Sequence, residues 1–409
     1  MSRKSLHVLA LVASSSILSL VLAESVLRVL PDPEQALSKH REVSGGPLHQ
    51  RDPLLGWRTV PNTSATIRSA EYTISVQNNS RGIRGPEYAY APGQHESRIL
   101  VIGDSFTAGY TVQFEETFGQ VAERDLNTRA SRRHRVIAAG TEAYSTDQEL
   151  LFFVEEGWKY RPDITVLMFF FNDIWFNTQP YYGGEDFGNK PLFRLEGRQP
   201  VLAHKPIALP SGAVGRPSAG PPPRDPADVP ASLAVKRWLN DHSRLYRLVR
   251  RAVLDGFART ADPLRDVWFQ YSLPDQFRVF QTSYDEDTKR AWALTEALIM
   301  QLAVEAARRG SRFVLFHVPP RENVWDNVWN KAMTYHALKP TEWRSDRVEI
   351  ELRSICARNN LDCILPTAQF RQQAARLAPD RLYLVGDPHW SREGHELVGR
   401  VLAEHILRR

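Results

Sequence analysis

Short apolar runs alternate with segments of helical periodicity over much of the chain. The runs Arg98–Ile102, Val136–Ala139 and Ile164–Phe171 are typical of strands that are buried on both faces. Between the second and third runs, Asp147–Lys159 carries apolar residues at helical spacing. Strands that alternate with helices indicate parallel pairing, with right-handed crossovers covering both faces of the sheet.

The same pattern resumes toward the carboxyl end. Thr288–Arg309 repeats an apolar residue at every fourth position, and Gly310 favours a helix end there. Arg312–Val318 and Leu361–Leu365 predict two more strands, and Ser391 predicts the cap of a terminal helix. We therefore predict an α/β fold, a three-layer α/β/α sandwich around a parallel sheet.

Two regions interrupt this rhythm. Residues 24–95 are polar and contain turn signals, which predict a linker and an irregular lead-in. His204–Pro230 carries eight prolines, which exclude helix and central strand, and Leu233–Phe257 predicts an arginine-rich helix. The predicted organisation is an amino-terminal segment 1–23, the lead-in 24–95, an α/β domain in two parts at 96–176 and 288–409, and an insertion at 177–287.

The amino-terminal segment indicates export. Arg3 and Lys4 precede Leu6–Ala23, an 18-residue stretch without Asp, Glu, Lys or Arg in which 13 residues are apolar. It fits a membrane anchor, a signal peptide cleaved after Ala23, or a buried core helix. The first two alternatives export the rest of the chain, because basic residues stay on the cytoplasmic side. We expect a single-pass protein of the bacterial inner membrane with an extracytoplasmic domain, or a periplasmic or secreted protein after cleavage.

The amino-acid composition excludes further classes of protein and disfavours some classes of partner. The 42% hydrophobic content excludes a structureless chain, and 52 basic against 47 acidic residues, spread along the chain, disfavour nucleic acid as a partner. The only cysteines, Cys356 and Cys363, are too few for a zinc site. They form either a disulfide that joins a helix to a strand, or two buried thiols.

The ends of the first three predicted strands carry groups suited to acyl transfer. Ligands bind outside the carboxyl ends of the strands in an open parallel sheet. Ser105 follows the first strand, Gly140 ends the second and Asn172 follows the third. The hydroxyl of Ser105 is a candidate nucleophile. Its N–H, the N–H of Gly140 and the amide of Asn172 are three candidate donors to an oxyanion.

The segment 386–390, Gly-Asp-Pro-His-Trp, offers the base that a serine nucleophile needs. Residues two apart in an extended segment point to the same side, and the intervening proline favours that conformation. Asp387 is thus placed to orient the imidazole of His389 toward Ser105, in the manner of a Ser-His-Asp triad. His395, in the terminal helix, is either an alternative base or, as its place in the helix favours, a structural side chain.

Aromatic residues that follow the third strand are candidate substrate contacts. Trp175 and Tyr181 are the candidates for contact with a substrate, whereas the run Phe169–Phe171 favours core packing. Asp104 and Trp390, which adjoin Ser105 and His389 in sequence, are further candidates. No carboxylate and histidine cluster typical of a two-metal site is present in the sequence, and we expect neither a metal nor a cofactor.

The segment 101–107, Val-Ile-Gly-Asp-Ser-Phe-Thr, resembles the first block of the SGNH/GDSL hydrolase superfamily. Gly140, Asn172 and the Asp387/His389 pair match its later blocks in order. The resemblance covers residues 97–176 and 288–408. It implies a flavodoxin-like fold in which Ser105 is the nucleophile and first oxyanion donor, Gly140 and Asn172 are the other donors, His389 is the general base and Asp387 orients it.

One departure from the family pattern refines the expected function. Many members space the acid and base as Asp-x-x-His, whereas a single residue separates Asp387 from His389. The Asp-x-His-Trp form resembles a branch of membrane-anchored or exported proteins that add or remove acetyl groups on secreted polysaccharides. We expect an exported serine esterase acting on an acylated carbohydrate. The alternatives are an O-acyltransferase with a sugar acceptor and a non-catalytic glycan-binding scaffold; the sequence does not indicate the oligomeric state.

Overall fold

The structure, a computed structural model, divides into two compact units. It describes residues 41–69, 71–182, 187–205, 275–336, 338–377, 381–384 and 386–408, with scattered positions between 5 and 28 and the piece 243–246. The first unit comprises Met1–His40 and Ala219–Ser272, of which few residues are described. The second comprises Arg41–Ser218 and Leu273–Arg409 and contains the sheets and helices that are given below.

Five short strands occupy part of the predicted lead-in. They are β1 (Glu42–Gly45), β2 (His49–Asp52), β3 (Gly56–Thr59), β4 (Ser64–Arg68) and β5 (Thr73–Gln77). β1, β4 and β5 form one antiparallel sheet, and β2 pairs with β3 as a hairpin. The prediction of an irregular lead-in over 24–95 is therefore wrong for residues 42–77.

These strands fold because alternate side chains are buried against the α/β domain. Ala65, Ile67, Ile74 and Val76 are buried, and their neighbours along β4 and β5 face outward or are partly covered. The four side chains form one cluster with Tyr110, which lies beyond the turn that carries Ser105. Each strand has only four or five residues and is too short to be stable alone. In so short a segment, the alternation of apolar and polar residues is hard to distinguish from a polar loop.

Ile67→Ala is expected to destabilise the whole sheet domain by about 2–5 kcal/mol, because it leaves a cavity in this cluster. Val43→Ala is the matched control: Val43 is the register partner of Ile67 on β1 but is 43% exposed, and we expect a change within about 0.5 kcal/mol. Thermal unfolding followed by circular dichroism measures both. An unchanged transition in Ile67→Ala would show that the lead-in folds separately.

A five-stranded parallel sheet lies at the centre of the second unit. The remaining strands among the described residues are β6 (Glu96–Gly103), β7 (Arg133–Gly140), β8 (Ile164–Phe169), β9 (Leu192–Glu196), β10 (Gln199–His204), β11 (Arg312–His317) and β12 (Asp362–Ile364). All except β9 and β10 form the parallel sheet, in the spatial order β12-β11-β8-β6-β7. This is the flavodoxin-like doubly wound order. The predicted α/β fold with a parallel sheet is confirmed.

Helices cover the two faces of this sheet. They are α1 (Ser105–Ala108), α2 (Phe118–Arg129), α3 (Thr146–Glu155), α4 (Asn172–Phe176), α5 (Glu286–Arg308), α6 (Arg321–Val324), α7 (Asp326–Tyr335), α8 (Arg347–Asn359), α9 (Thr367–Ala374) and α10 (Arg392–Leu407). α10 packs against α2, and α3 packs against α5. Right-handed crossovers place these two pairs on opposite faces, which gives three layers. Ser391 caps α10 as predicted, accepting from the N–H of Gly394 at 3.3 Å.

The predicted insertion at 177–287 begins with the antiparallel hairpin β9–β10. Most of its proline-rich stretch and most of the predicted helix Leu233–Phe257 lie outside the described residues. A short 3-10 helix, Asp275–Phe280, leads back into the α/β domain, where Phe277 and Phe280 are buried.

Most of Leu6–Ala23 also lies outside the described residues, and with it the predicted anchor or signal peptide. In the part of the chain that the structure describes, no helix combines the length and the apolar character needed to cross a bilayer.

Cys356 and Cys363 form a disulfide that joins α8 to β12. Of the two alternatives that the sequence left open, the structure has the disulfide.

Candidate active site

Ser105 begins α1, in the tight turn that leads from the end of β6 at the carboxyl edge of the sheet. The carboxylate of Asp104 caps this turn by accepting from the N–H of Phe106 at 2.9 Å. A Cβ on Gly103 would lie 2.2 Å from Oγ1 of Thr107, so only glycine fits there. β6 lies between β8 and β7, where the strand order reverses, and this is the usual ligand position in doubly wound sheets.

A loop from the carboxyl-terminal part of the chain brings His389 to Ser105. Nε2 of His389 lies 2.7 Å from Oγ of Ser105. Nδ1 of His389 hydrogen-bonds to Oδ1 of Asp387, which also accepts from the backbone N–H of His389 at 2.9 Å. The three side chains predicted from the sequence thus form one continuous hydrogen-bonded chain across 284 positions of sequence.

Contacts from three directions hold this loop. The N–H of Leu384 donates to the carbonyl of His389 at 3.0 Å. The ring of Phe106 packs on the imidazole with 4.7 Å between centroids. The N–H of Gly386 donates to Oε2 of Glu71 at 2.9 Å, so the turn between β4 and β5 contacts the loop directly. Nothing in the sequence pattern indicated this role for Glu71.

Asp387 and His389 shift each other's pKa. Burial raises the pKa of Asp387, but ion pairing with His389 and hydrogen bonds from its ring and N–H outweigh burial and hold that pKa at about 2. Burial lowers the pKa of His389, but the Asp387 carboxylate outweighs it and raises the pKa above the ordinary histidine value. The carboxylate is therefore ionised at neutral pH, and the imidazole becomes a free base at a higher pH than an isolated histidine.

The other two candidate oxyanion donors lie on either side of Ser105. Gly140 is in register with Gly103 at the end of β7, and a Cβ on it would lie 2.1 Å from the backbone N of Ala108. Asn172 begins α4, after β8 on the other side of β6. Oδ1 of Asn172 is buried and has no hydrogen-bond partner among the described residues. The side-chain NH₂ of Asn172 is the candidate donor to an incoming oxygen.

Two of the candidate substrate contacts are wrong. Asp104 is 2% exposed because it caps the Ser105 turn, and Trp390 is 0% exposed because its ring packs in the core against Phe106. Trp175 and Tyr181 are both half-buried. Trp175 lies three residues beyond Asn172 on α4, so it remains the candidate that adjoins the site.

His395, the alternative base, belongs to the core. It is 1% exposed, stacks on Phe118 and lies 3.4 Å from Oγ1 of Thr111. Burial lowers its pKa to about 3, so it stays neutral. The residues that the structure describes hold no group of three or more His, Cys, Asp or Glu side chains arranged for a metal ion.

An ion pair that the sequence did not indicate borders the site. Glu142 follows Gly140 by two positions and pairs with Arg41, 101 positions earlier, with 3.0 Å between Nη2 and Oε2. The indole Nε1 of Trp57 donates to the backbone carbonyl of Glu142 at 2.9 Å. The negative charge of Glu142 also contributes to the raised pKa of His389. The lead-in therefore forms part of the wall around the site.

Comparisons with known proteins find similar solved structures only. No protein-family model matches the chain, and no curated protein matches it. The chain is similar to an alpha/beta hydrolase enzyme from the metagenome of Lake Arreo, Spain, with 12% identity, a TM-score of 0.37, and coverage of 76% of this chain and 94% of that chain. An acetylxylan esterase from Geobacillus stearothermophilus has 13% identity, a TM-score of 0.37 and coverage of 76% and 94%. A lipase/acylhydrolase from Enterococcus faecalis has 13% identity, a TM-score of 0.37 and coverage of 76% and 95%.

The block residues occupy the positions that the sequence resemblance implies. Ser105, Gly140 and Asn172 follow or end neighbouring strands of one parallel sheet, and His389 reaches Ser105 from the carboxyl-terminal loop. This placement agrees with what the sequence resemblance to SGNH/GDSL hydrolases implies.

Proposed function

We propose that this protein is a serine hydrolase that cleaves acyl esters, in particular acetyl esters of a carbohydrate. The contact that carries the proposal is the 2.7 Å separation between Oγ of Ser105 and Nε2 of His389, whose other ring nitrogen is bonded to Asp387. A serine hydroxyl becomes a useful nucleophile when an oriented base can take its proton.

In the proposed acylation step, Oγ of Ser105 attacks the ester carbonyl carbon while Nε2 of His389 takes the hydroxyl proton. The carbonyl oxygen becomes an oxyanion that accepts hydrogen bonds from the Ser105 N–H, the Gly140 N–H and the Asn172 amide. Collapse of this intermediate breaks the bond to the sugar oxygen, which receives the proton from His389. Ser105 is left carrying the acyl group, and Asp387 stabilises the imidazolium during both transfers.

Deacylation repeats the sequence with a new nucleophile. Water gives up a proton to His389 and attacks the acyl carbon. Collapse then breaks the bond to Oγ of Ser105, which receives the proton from His389 as the carboxylic acid leaves. A sugar hydroxyl in place of water would give O-acyl transfer from the same site. The half-buried indole of Trp175, close to Asn172 on α4, supports a carbohydrate substrate because a flat apolar ring stacks on a sugar face.

Trapping the acyl-enzyme tests this proposal. The purified protein is mixed with a chromogenic acetyl ester and quenched in acid, and intact and peptide mass spectra are recorded. We expect one added acetyl group, located on Ser105, together with steady release of the chromophore. A protein that carries no acetyl group and shows no turnover, but binds a glycan tightly, would favour the alternative of a non-catalytic glycan-binding scaffold. Faster turnover on addition of an oligosaccharide, with acetylated oligosaccharide as product, would favour acyl transfer.

The proposed place of action is outside the cytoplasm, as a single-pass protein of the bacterial inner membrane or as its cleaved form. The basic residues before Leu6–Ala23 and the Cys356–Cys363 disulfide support this, since disulfides persist in oxidising compartments. Protease treatment of spheroplasts is expected to degrade the domain of an anchored form, whereas a cleaved form would be released with the periplasm. A protected protein with two reactive thiols would contradict export.

A further inference from the structure

A cluster of four carboxyl groups and one lysine is buried behind Ser105. Asp104, Asp147, Glu149 and Asp173 are each at most 2% exposed, and Lys190 is 0% exposed. Burial and the neighbouring carboxylates raise the pKa of Glu149 and of Asp173, and the charge of Lys190 opposes that rise. The lysine belongs to the predicted insertion, at a position to which the sequence pattern assigned no role.

Lys190 connects two elements that border the site. Its Nζ donates to Oδ2 of Asp147, in the first turn of α3, and to the backbone carbonyl of Phe176 at 2.9 Å, at the end of α4. Its own N–H donates to the carbonyl of Pro180 at 2.9 Å. Both charged side chains of this pair are fully buried. The ammonium therefore holds the start of α3 and the end of α4 together.

Two further hydrogen bonds join the same elements. Oγ1 of Thr146 donates to Oδ2 of Asp173 at 3.0 Å, and the N–H of Asp147 donates to Oδ1 of Asn177 at 3.1 Å. α4 has only five residues and begins with Asn172. Since so short a helix has little stability of its own, these contacts contribute to holding α4 in place.

We infer that Lys190 is a positioning residue that fixes α4 and, through it, the Asn172 amide on the oxyanion side of Ser105. The inference rests on the proposed ester hydrolysis and extends it to a residue of the insertion. A displaced amide would bind the ester as before but would stabilise the oxyanion less, so the effect falls on kcat rather than on KM.

The test uses variants of the full chain. Lys190→Met alone leaves Asp147 as an unpaired buried carboxylate, so it is combined with Asp147→Asn, which removes both charges. We expect this double variant to keep a cooperative thermal transition and to lose about 10–100-fold in kcat on a chromogenic acetyl ester, with KM within about threefold. Lys190→Arg, which keeps both charges but changes the reach of the cation, is expected to fold and to lose kcat in the same direction.

A double-mutant cycle with Asn172→Ala separates positioning from general destabilisation. If Lys190 acts through Asn172, adding Asp147→Asn and Lys190→Met to the Asn172→Ala variant should lower kcat by less than about threefold. Lys289→Met is the control, because Lys289 pairs with Glu286 on the surface, and we expect parental kcat.

Three outcomes would overturn the inference. Parental kcat in every folded Lys190 variant would do so, and so would an undiminished loss in the Asn172→Ala background. In both cases the parent still hydrolyses the ester, so the proposed function stands. Absence of ester hydrolysis in the parent protein would overturn the proposed function and the inference together.

Discussion

Ser105→Ala is expected to lower kcat/KM for a chromogenic acetyl ester by at least about 10³-fold. The variant keeps the backbone N–H of residue 105 but loses the only oxygen within hydrogen-bond distance of Nε2 of His389 among the described residues. Without that oxygen no acyl-enzyme forms. The residual rate would come from direct attack of water on the ester, with the oxyanion donors still stabilising the carbonyl oxygen. Initial rates over a range of ester concentrations measure the effect.

Two comparisons make this result specific. Ser354→Ala removes an exposed hydroxyl on α8 and is expected to retain parental activity. His389→Ala is expected to lower kcat/KM about as much as Ser105→Ala does. The double variant should lose little more, because the two residues act as one unit. Losses that multiply would mean that the two side chains act in separate steps. A fully active Ser105→Ala would remove this serine from the mechanism.

Asp387→Asn is expected to lower kcat by about 10³–10⁴-fold. The carboxylate accepts the Nδ1 proton of His389, which leaves Nε2 unprotonated and facing Oγ of Ser105. An asparagine amide that turns its NH₂ toward Nδ1 favours the opposite tautomer, with the proton on Nε2, where it blocks proton transfer from Ser105. The residual kcat of the variant under saturating ester measures this effect, and near-parental kcat would contradict the assigned role.

The pH profile of the same pair provides an independent readout. Asp387 raises the pKa of His389, so the kcat/KM of the parent should fall as pH drops through a value above about 6.5, the ordinary histidine pKa. In Asp387→Asn that stabilisation of the imidazolium is absent, and the acid limb should move to lower pH. Profiles from about pH 5 to 9 test the shift. An acid limb at the same pH in both proteins would show that the limb belongs to another group.

Much of the central sheet could be predicted from local patterns. All residues of β8 are buried. A strand that is buried on both faces is a continuous apolar run, which can be recognised without knowing which other segments cover it. The position of Ser105 followed from the same pattern, because a residue that comes directly after a buried strand lies at the sheet edge. The lead-in was missed for the opposite reason: β4 and β5 bury only alternate residues, and only against Tyr110 and its neighbours.

The sequence by itself determined the parallel sheet, the strand ends that carry Ser105, Gly140 and Asn172, and the pairing of Asp387 with His389, because burial period and close spacing are local properties. Only the tertiary structure decided that Glu71 contacts the loop before His389 and that Lys190 joins α3 to α4. It also decided that Asp104 and Trp390 face the core. Which charges meet, and which side chains water reaches, depend on how distant loops assemble, and no periodicity along the chain encodes that.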